Sequence, residues 1–515
     1  MVFSFISNLS MNELESPQSP SNYITDDRIS SVNEQTILLG LSWLYSISAI
    51  ALAIFGLNIF FLLGLAIFYW GKAKPADPPD EWPDVLVQLP LYNERYVVER
   101  LINAAIQLDY PKEHILIQVL DDSTDDTAKL AEAHVRSCAA NGCPIVYRHR
   151  TQRSGYKAGA LQEGLQSAPG EFIALFDADF IPPPDFLKQT IPEFIHNPQL
   201  GIVQTRWGHL NAEQNLVTRA MALAFDNFFS IDQVARSGPG LLMGFNGSAC
   251  VLRRACIEDV GGWQSDTLVE DLDLSYQVQL RGWRIKYRPD VVVPGELPVT
   301  ILALKQQQYR WAKGSIQILM KLGKRLLTSN KPWFIKIQGL LHITGYISHP
   351  LIIALLLLSL PVVLLHGSTP VHWSVLGVAA LAPVLSVFWS QWRLHEEKKI
   401  GWIFYPALLM VGIGLAVTDT RAIWDALWRK RTEFVRTPKF GGADHHTSDY
   451  ALPVDLSTWV ELALALYGLG TTWLAWTRAP ELTLFILFYS LGFGLTAVLG
   501  FLQSKGMRIG AAIKA

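Results

Sequence analysis

The chain has 515 residues, of which 50% are hydrophobic and 17% are charged. This balance excludes both a disordered chain and a purely soluble enzyme, and the length allows more than one domain. A formal net charge of −2 gives no reason to expect a nucleic acid as partner. The four cysteines form no Cys-x-x-Cys pair, which argues against a zinc site and fits a reduced, cytosolic catalytic domain.

The chain begins with a polar tail and a long apolar run. Residues 1–35 are rich in Ser, Asn and Glu, and we predict a mobile tail. Residues 36–72 form the predicted N-terminal transmembrane segment, for which we prefer one span to a tight helical hairpin. We interpret it as an anchor, not a cleaved signal peptide. Arg28 is the single basic residue before this run, whereas Lys72 and Lys74 follow it. This asymmetry predicts that the following domain is cytosolic.

Residues 80–298 carry the pattern of an α/β catalytic domain. Strand-like runs such as VLVQLPL, HILIQVL, PIVYRH, FIALF and IVQT alternate with helical patterns. That alternation predicts a mixed, mostly parallel sheet with helices on both faces. Ligands of such sheets bind beyond the carboxyl ends of the strands. The Asn-Glu, Asp-Asp-Ser and Asp-Ala-Asp groups all fall at those ends, so we expect them to meet at one edge.

Two carboxylates in the Asp-Ala-Asp group indicate a metal site. Asp177 and Asp179 follow the buried run FIALF. Carboxylates of this kind hold Mg²⁺ or Mn²⁺, which in turn binds the diphosphate of a nucleotide sugar. The alternative interpretation is helix capping before the next helix.

Five further residues are candidates for binding the nucleotide. Asp121 and Asp122 close a predicted strand and favour contact with a nucleoside, although this segment is also typical of a helix N-cap. Tyr92 can stack on a base, with Glu94 nearby. Lys157 lies in the Gly-containing loop RSGYKAGAL that opens a helix, which favours a phosphate contact over a solvated lysine.

The stretch from Ser265 to Trp311 carries the remaining chemistry. Glu270 and Asp271 open an apolar-periodic helix, and Asp271 is our predicted general base. Gln307, Arg310 and Trp311 share one face of a second helix. Arg310 suits a diphosphate and Trp311 suits the flat face of an acceptor sugar. The alternatives are an acidic helix start that satisfies the helix dipole and an interfacial Trp-Arg anchor.

The rest of the chain reads as membrane structure. We predict an amphipathic interfacial helix at 299–335, a transmembrane hairpin plus an interfacial or re-entrant helix at 336–427, and a loop at 428–456. A C-terminal hairpin at 457–504 and a tail at 505–515 complete the chain. The total is five spans, with six or seven as alternatives, in a multi-pass integral membrane protein.

These groups, in this order, resemble the processive membrane-bound family-2 glycosyltransferases, which include cellulose synthase and the cellulose-synthase-like mannan and glucan synthases. The resemblance covers residues 80–440 and rests on the set Asp, Asp-x-Asp, Asp, Gln-x-x-Arg-Trp. It implies a GT-A catalytic domain, with Asp179 binding the metal and Asp271 acting as the base. The family's Thr-Glu-Asp reads Val269-Glu270-Asp271 here, so both acids remain.

Two further segments carry the resemblance. Phe245, Asn246, Gly247 and Ser248 resemble the family's acceptor-binding segment, with Asn where cellulose synthases carry Cys, as in the mannan-synthase branch. The sequence FVRTPKF resembles the gating loop that closes over the nucleotide. That similarity implies that its Thr437 and Lys439 contact the donor.

The resulting hypothesis is an inverting hexosyltransferase that extends a β-1,4-glucan or a mannan or glucomannan and passes it across the membrane. Its donor would be UDP-glucose or GDP-mannose, and membrane lipid would surround it. A single-addition enzyme that glycosylates diacylglycerol, ceramide or a polyprenol phosphate remains open, because it shares the same acids and the Gln-x-x-Arg-Trp group. A non-catalytic membrane scaffold is the third alternative.

Overall fold

A computed structural model describes residues 23–72, 75–365, 373–395, 401–429, 439 and 453–504. Within these residues, one sheet carries the catalytic region. Its strands are β1 (Val85–Leu91), β2 (Ile115–Asp121), β3 (Ile145–His149), β4 (Phe172–Leu175), β5 (Leu200–His209), β6 (Cys250–Arg253) and β7 (Arg284–Gly295). Their order across the sheet is β3-β2-β1-β4-β6-β5-β7. All run parallel except β6, which is antiparallel to both neighbours.

Helices surround the sheet and form the apolar part of the chain. In chain order they are α1 (Tyr23–Tyr69), α2 (Val98–Ile106), α3 (Thr127–Ala140), α4 (Tyr156–Gln166), α5 (Phe186–Thr190), α6 (Pro192–Ile195), α7 (Leu216–Asn227), α8 (Val234–Ser237), α9 (Arg254–Asp259), α10 (Glu270–Arg281), α11 (Ile301–Thr328), α12 (Trp333–Ile343), α13 (Ser348–Leu364), α14 (Trp373–Leu394), α15 (Tyr405–Gly414), α16 (Ala416–Leu427), α17 (Leu456–Arg478) and α18 (Pro480–Ser504).

The predicted α/β architecture is confirmed. Strands β1 to β5 and helices α2 to α4 form where the sequence pattern places them. Strands β1, β2 and β4 are buried along nearly their whole length, because helices cover both faces of the sheet. Strands β6 and β7 are additional, since neither was predicted from the sequence.

The sheet has a hydrophobic layer on each side. On one side, Val87 and Ile117 pack with α2 and α3. On the other, Leu86 and Ile173 pack with α4 and α10 and with the end of α1 around Ala66. The last turns of α1 are therefore part of the catalytic core, which ties that domain to the N-terminal apolar helix.

Four helical segments of the described chain are long and apolar enough to cross a membrane. They are Thr36–Tyr69, Gly345–Leu364, Tyr405–Leu427 and Pro480–Ser504. These helices fit a membrane protein. Helices α14 and α17, which we interpret as spans from the sequence, do not meet the same criterion, whereas the segment predicted as interfacial or re-entrant does. The number of crossings therefore stays a prediction.

Helix α11 is fixed to the C-terminal helices by a buried ion pair. Lys305 Nζ of α11 lies 2.7 Å from Glu461 Oε2 of α17 and 3.3 Å from Thr458 Oγ1. The two charged side chains are 4% and 0% exposed. Next to it, the Ile301 amide donates to Gln503 Oε1 of α18 at 2.7 Å. The helix that carries Gln307, Arg310 and Trp311 is thus held against α17 and α18.

We expect Glu461→Gln to destabilise the protein by about 3–5 kcal/mol, because it leaves the Lys305 ammonium buried without its counter-ion. Adding Lys305→Met removes that charge and should recover most of the loss. Thermal unfolding of the detergent-purified protein measures both effects. Equal losses in the single and the double variant would contradict this role for the pair.

Candidate active site

One cleft lies beyond the carboxyl ends of the parallel strands, and the predicted groups from both halves of the catalytic region open into it. Its lining includes thirteen residues singled out from the sequence: Tyr92, Glu94, Asp122, Lys157, Asp177, Asp179, Asn246, Glu270, Asp271, Gln307, Arg310, Trp311 and Lys439. Asp121, Phe245, Gly247 and Ser248 do not line it. Thr437 lies outside the described residues.

Each acid of the Asp-Ala-Asp turn is paired with a lysine. Asp177 Oδ1 lies 2.6 Å from Lys157 Nζ, and Asp179 Oδ2 lies 2.6 Å from Lys439 Nζ. The turn itself is held from below, since the Asp177 amide donates to the buried hydroxyl of Ser248 at 2.9 Å. Both carboxylates line the cleft, and lysines balance their charge.

Lys157 stands between the acids of the turn and those of α10. Its Nζ also lies 3.6 Å from Glu270 Oε1 and donates to the Gly247 carbonyl oxygen at 2.8 Å. Burial alone would lower the pKa of Lys157, but the charges of Asp177, Glu270 and Asp271 outweigh it and raise the pKa. Lys157 is therefore a permanent cation at the centre of the cleft, where a diphosphate can bind.

The chemistry of the turn fits a hard divalent cation. Asp177 and Asp179 supply carboxylate oxygens, which Mg²⁺ and Mn²⁺ prefer. Among the described residues, no group of three His, Cys, Asp or Glu side chains is arranged to hold a metal ion. A cation here would therefore take its other oxygen ligands from the donor and from water. It would supply positive charge against the diphosphate.

Asp271 lies at the start of α10 in a partly buried and strongly anionic setting. Its Oδ1 accepts a hydrogen bond from the Leu272 amide at 2.7 Å. Burial and the adjacent charge of Glu270 raise the pKa of Asp271 to about 7, and Lys157 opposes them. A carboxyl group with a pKa near neutrality is suited to accept a proton from an attacking hydroxyl.

Three residues of α11 face the same cleft. Gln307 places a buried Oε1 there that has no hydrogen-bond partner among the described residues. Burial lowers the pKa of Arg310 to about 10, against the raising effect of Glu270, Asp177 and Asp271, so it remains charged at neutral pH. The Trp311 indole contacts the edge of Phe225, with 6.1 Å between the ring centroids.

The two adjacent acids that the sequence predicts to contact a nucleoside take different positions. Asp122 is held by the Arg150 fork, with distances of 2.7 and 2.6 Å. Asp121 instead lies below the cleft, fully buried, where its carboxylate accepts hydrogen bonds from the Tyr147 hydroxyl at 2.6 Å and the Ser123 amide at 2.9 Å. Of the two acids, Asp122 is the one in a position to meet a ligand.

The segment from Phe245 to Ser248 lies behind the cleft wall. Asn246 alone lines the cleft, and its backbone N–H donates to Gln204 Oε1 at 2.8 Å. Phe245 is buried, and Ser248 supports the Asp-Ala-Asp turn. Gly247 has a φ of +73°, and a Cβ built there would lie 2.8 Å from Asp271 Oδ2. This glycine therefore lets the segment approach the predicted base.

We expect Gly247→Ala to lower kcat by about ten-fold or more, because the added methyl group displaces the Asp271 carboxylate and a 1 Å misplacement is costly in catalysis. The matched control is Gly240→Ala. Gly240 has a φ of +76° with nothing within 4 Å of a built Cβ, so it carries the same backbone strain without the contact. Initial rates of both variants measure the effect, and equal losses would contradict it.

The cleft also contains residues that the motifs do not single out, among them Arg153, Trp207, His209, Phe225 and Glu296. The Arg153 guanidinium lies 3.3 Å above the Tyr92 ring. Trp207 and His209 end β5, so the strand-end rule applied to IVQTRWGH would have found them. Glu296 directly follows β7, a strand that was not predicted.

The region that forms this cleft is similar in sequence to known proteins. Residues 83–314 match the family model described as Glycosyltransferase like family 2. The chain is 37% identical to glucomannan 4-beta-mannosyltransferase 2 of Arabidopsis thaliana over 369 residues, which cover 70% of this chain and 68% of that protein. The chain belongs to the family-2 glycosyltransferases. This glycosyltransferase is also 35% identical over 377 residues to the probable glucomannan 4-beta-mannosyltransferase 9 of Oryza sativa subsp. japonica, covering 72% and 70% of the two chains.

Among solved structures, this glycosyltransferase is similar to the mannosyltransferase PcManGT from Pyrobaculum calidifontis in complex with GDP-Man and Mn²⁺. The TM-score is 0.49 with 22% identity, and the alignment covers 74% of this chain and 100% of that one. Family membership confirms the resemblance that the motifs indicate. The sheet and its helices are therefore a catalytic domain of the GT-A type. The enzyme transfers a hexose.

Proposed function

We propose that this enzyme transfers mannose or glucose, with inversion, from GDP-mannose or UDP-glucose to a growing β-1,4-linked mannan, glucomannan or glucan. The observation that carries the proposal is the cleft itself. It combines the Asp-Ala-Asp turn, the Asp271 carboxyl group with its pKa of about 7, and the Trp311 indole. The similarity to proteins named glucomannan 4-beta-mannosyltransferases favours mannose-containing products.

Different residues along the cleft bind the nucleoside, the diphosphate and the metal ion. Tyr92 and Asp122 lie where a nucleoside would bind, and Lys157 and Arg310 supply the charge for the diphosphate. Asp177 and Asp179 would hold Mg²⁺ or Mn²⁺ against the same group. Lys439 adds a further cation at this end.

Proton transfer at the acceptor completes the reaction. Asp271 takes the proton from the acceptor hydroxyl as that oxygen attacks the anomeric carbon, and the nucleoside diphosphate leaves. One displacement of this kind inverts the anomeric carbon and needs no covalent enzyme intermediate. Trp311 holds the acceptor sugar beside the base.

We further propose that the catalytic domain faces the cytosol and that the polymer leaves through the membrane helices. Arg28 before α1 and Lys72 and Lys74 after it support this orientation. Helix α11, which carries Trp311, packs directly against α16 and α18. The acceptor site therefore adjoins the apolar helices through which a product could pass.

Purified enzyme incubated with labelled GDP-mannose or UDP-glucose, Mg²⁺ or Mn²⁺ and β-1,4-manno-oligosaccharides tests the proposal. We expect products longer than the acceptor that a β-1,4-mannanase or glucanase degrades. A single sugar on an extracted lipid would favour the glycolipid alternative instead. Absence of transfer or hydrolysis with either donor would refute the proposal.

A further inference from the structure

The acceptor side of the cleft carries a histidine to which the proposed function gives no role. His209 is the last residue of β5 and lines the cleft. Its Nε2 lies 3.0 Å from Asp226 Oδ1, and its side chain is 9% exposed. Asp226 lies in the last turn of α7 and is buried. The pair thus connects the cleft wall with the interior of the protein.

Asp226 receives hydrogen bonds from three side chains. Besides His209, its Oδ2 accepts from His395 Nε2 at 2.8 Å and from Gln391 Nε2 at 3.0 Å, both contributed by α14 and the residue following it. Burial alone would raise the pKa of Asp226, but these bonds hold it below its usual range. The carboxylate is therefore ionised and is held in one orientation from two sides.

An ionised carboxylate can only accept, so the shared hydrogen must sit on Nε2 of His209. That hydrogen bond leaves Nδ1 as the ring nitrogen available to other groups. Among the described residues, no hydrogen bond to the other ring nitrogen, Nδ1, is formed. Nδ1 thus belongs to a residue that lines the cleft and is available to a hydroxyl group of a bound ligand, which can either donate to it or accept from it.

The rings around His209 continue to the acceptor-binding indole. His209 stacks on Phe225 with 6.2 Å between the centroids and an angle of 29°. Phe225 meets Trp311 at 6.1 Å and Trp207 at 5.7 Å. Sugars bind such walls by placing their apolar faces on the rings and their hydroxyl groups against a few polar atoms. In this aromatic wall, His209 supplies a ring nitrogen that can bind a hydroxyl group.

We propose that His209 binds a hydroxyl group of the acceptor sugar through Nδ1 and that Asp226 positions the imidazole for that contact. The inference rests on the proposed function, since it assumes that the acceptor in the cleft is a saccharide. His209 then belongs to the acceptor site together with Trp311. Asp226 acts only through His209 and is a positioning residue.

The variant His209→Phe tests the proposal, because phenylalanine keeps a ring against Phe225 and removes both nitrogens. The probe is β-1,4-mannohexaose with GDP-mannose, with UDP-glucose run in parallel. We expect the KM for the oligosaccharide to rise about ten-fold, the loss of roughly one hydrogen bond. The KM for the donor and the rate of donor hydrolysis without acceptor should stay at the wild-type level. His134→Phe, on α3 and bonded to Asn103 outside the cleft, is the matched control.

Asp226→Asn separates positioning from a purely structural role. We expect the acceptor KM of Asp226→Asn to rise, but by less than that of His209→Phe. The double variant should have the same acceptor KM as His209→Phe alone, since the two residues act as one unit. If His209→Phe does not fold, Asp226→Asn decides by its acceptor KM.

An unchanged acceptor KM would overturn the inference, and so would a donor KM or donor hydrolysis that changes as much as the acceptor KM. If either result is obtained while the wild-type enzyme still elongates mannohexaose, the proposed function stands and only the role of His209 is wrong. A wild-type enzyme that elongates no oligosaccharide with either donor would refute the proposed function and this inference together.

Discussion

Replacing Asp271 with asparagine is expected to slow sugar transfer by about a hundred-fold to ten-thousand-fold, the usual contribution of a general base. The amide matches the carboxylate in size but cannot take the proton from the acceptor hydroxyl. Donor binding should persist, because Lys157 and Arg310 remain in place. Initial rates and donor affinity, measured on the same preparation, check both parts.

The control for this variant is Asp266→Asn. Asp266 lies in the loop before α10, is exposed and pairs with Lys321 at 2.6 Å, so its loss should leave the rate near wild-type. A rate for Asp271→Asn within about five-fold of wild-type would exclude Asp271 as the base, since general-base contributions are larger.

The raised pKa of Asp271 predicts how the rate of sugar transfer depends on pH. A base works only when deprotonated, so the rate should rise with pH through about 7, the value to which burial and Glu270 raise its pKa. Glu270→Gln removes the neighbouring charge and should shift this limb of the pH profile to lower pH. An unshifted limb would show that another group titrates.

Stability should respond with the opposite sign to activity. The unfolded carboxyl of Asp271 loses its proton near pH 4, whereas in the folded protein the pKa is raised to about 7. The folded chain therefore binds more protons across this window, and stability from this group falls as pH rises through it. Asp271→Asn should thus unfold at a higher temperature than wild-type at pH 8, despite its lost activity.

Replacing Asp179 with asparagine is expected to lower kcat/KM by on the order of a thousand-fold, because a divalent cation contributes several kcal/mol of charge stabilisation. Chelation should inactivate the wild-type enzyme, and Mg²⁺ or Mn²⁺ should restore it. Neither ion should restore Asp179→Asn. Mn²⁺ binding in the presence of GDP, followed by paramagnetic resonance, gives a readout that is independent of turnover.

Asp185→Asn is the control for the metal site. Asp185 is an exposed acid six residues along the same segment and does not line the cleft. Its variant should keep both activity and Mn²⁺ binding. If Asp179→Asn bound Mn²⁺ as tightly as the wild type, the carboxylate would not be a ligand.

The sequence predicts the carboxyl edge of the sheet well, because acidic residues close or follow the buried strands that end at Leu91, Asp121 and Leu175. It also predicts that Asp271 lies at the start of α10 and that Gln307, Arg310 and Trp311 share one face of α11, since helical spacing places those three together. Their meeting in a single cleft is a long-range result of packing, which spacing does not encode but which the family motifs imply.

Two strands and one acid could not be read from the pattern. Strand β6 has four residues and closely follows the segment interpreted as an acceptor site, and β7 contains Pro289 and several charged residues within its span. Both therefore lack the alternation that marks a strand. Asp121 and Asp122 are adjacent in sequence, and only the hydrogen bonds of Tyr147 and Arg150 determine which of them reaches the cleft.

The reversed direction of β6 has a consequence for engineering. Because this strand runs against its neighbours, Asn246 arrives at the reactive edge just before the strand begins, while Arg253 and the amino ends of β3 and β4 lie at the opposite edge. The exposed turn at Asn141–Gly142, which leads into β3, belongs to that opposite edge. We expect a fluorescent reporter or affinity tag inserted there to leave the rate of sugar transfer at the wild-type level and to mark the far side of the domain.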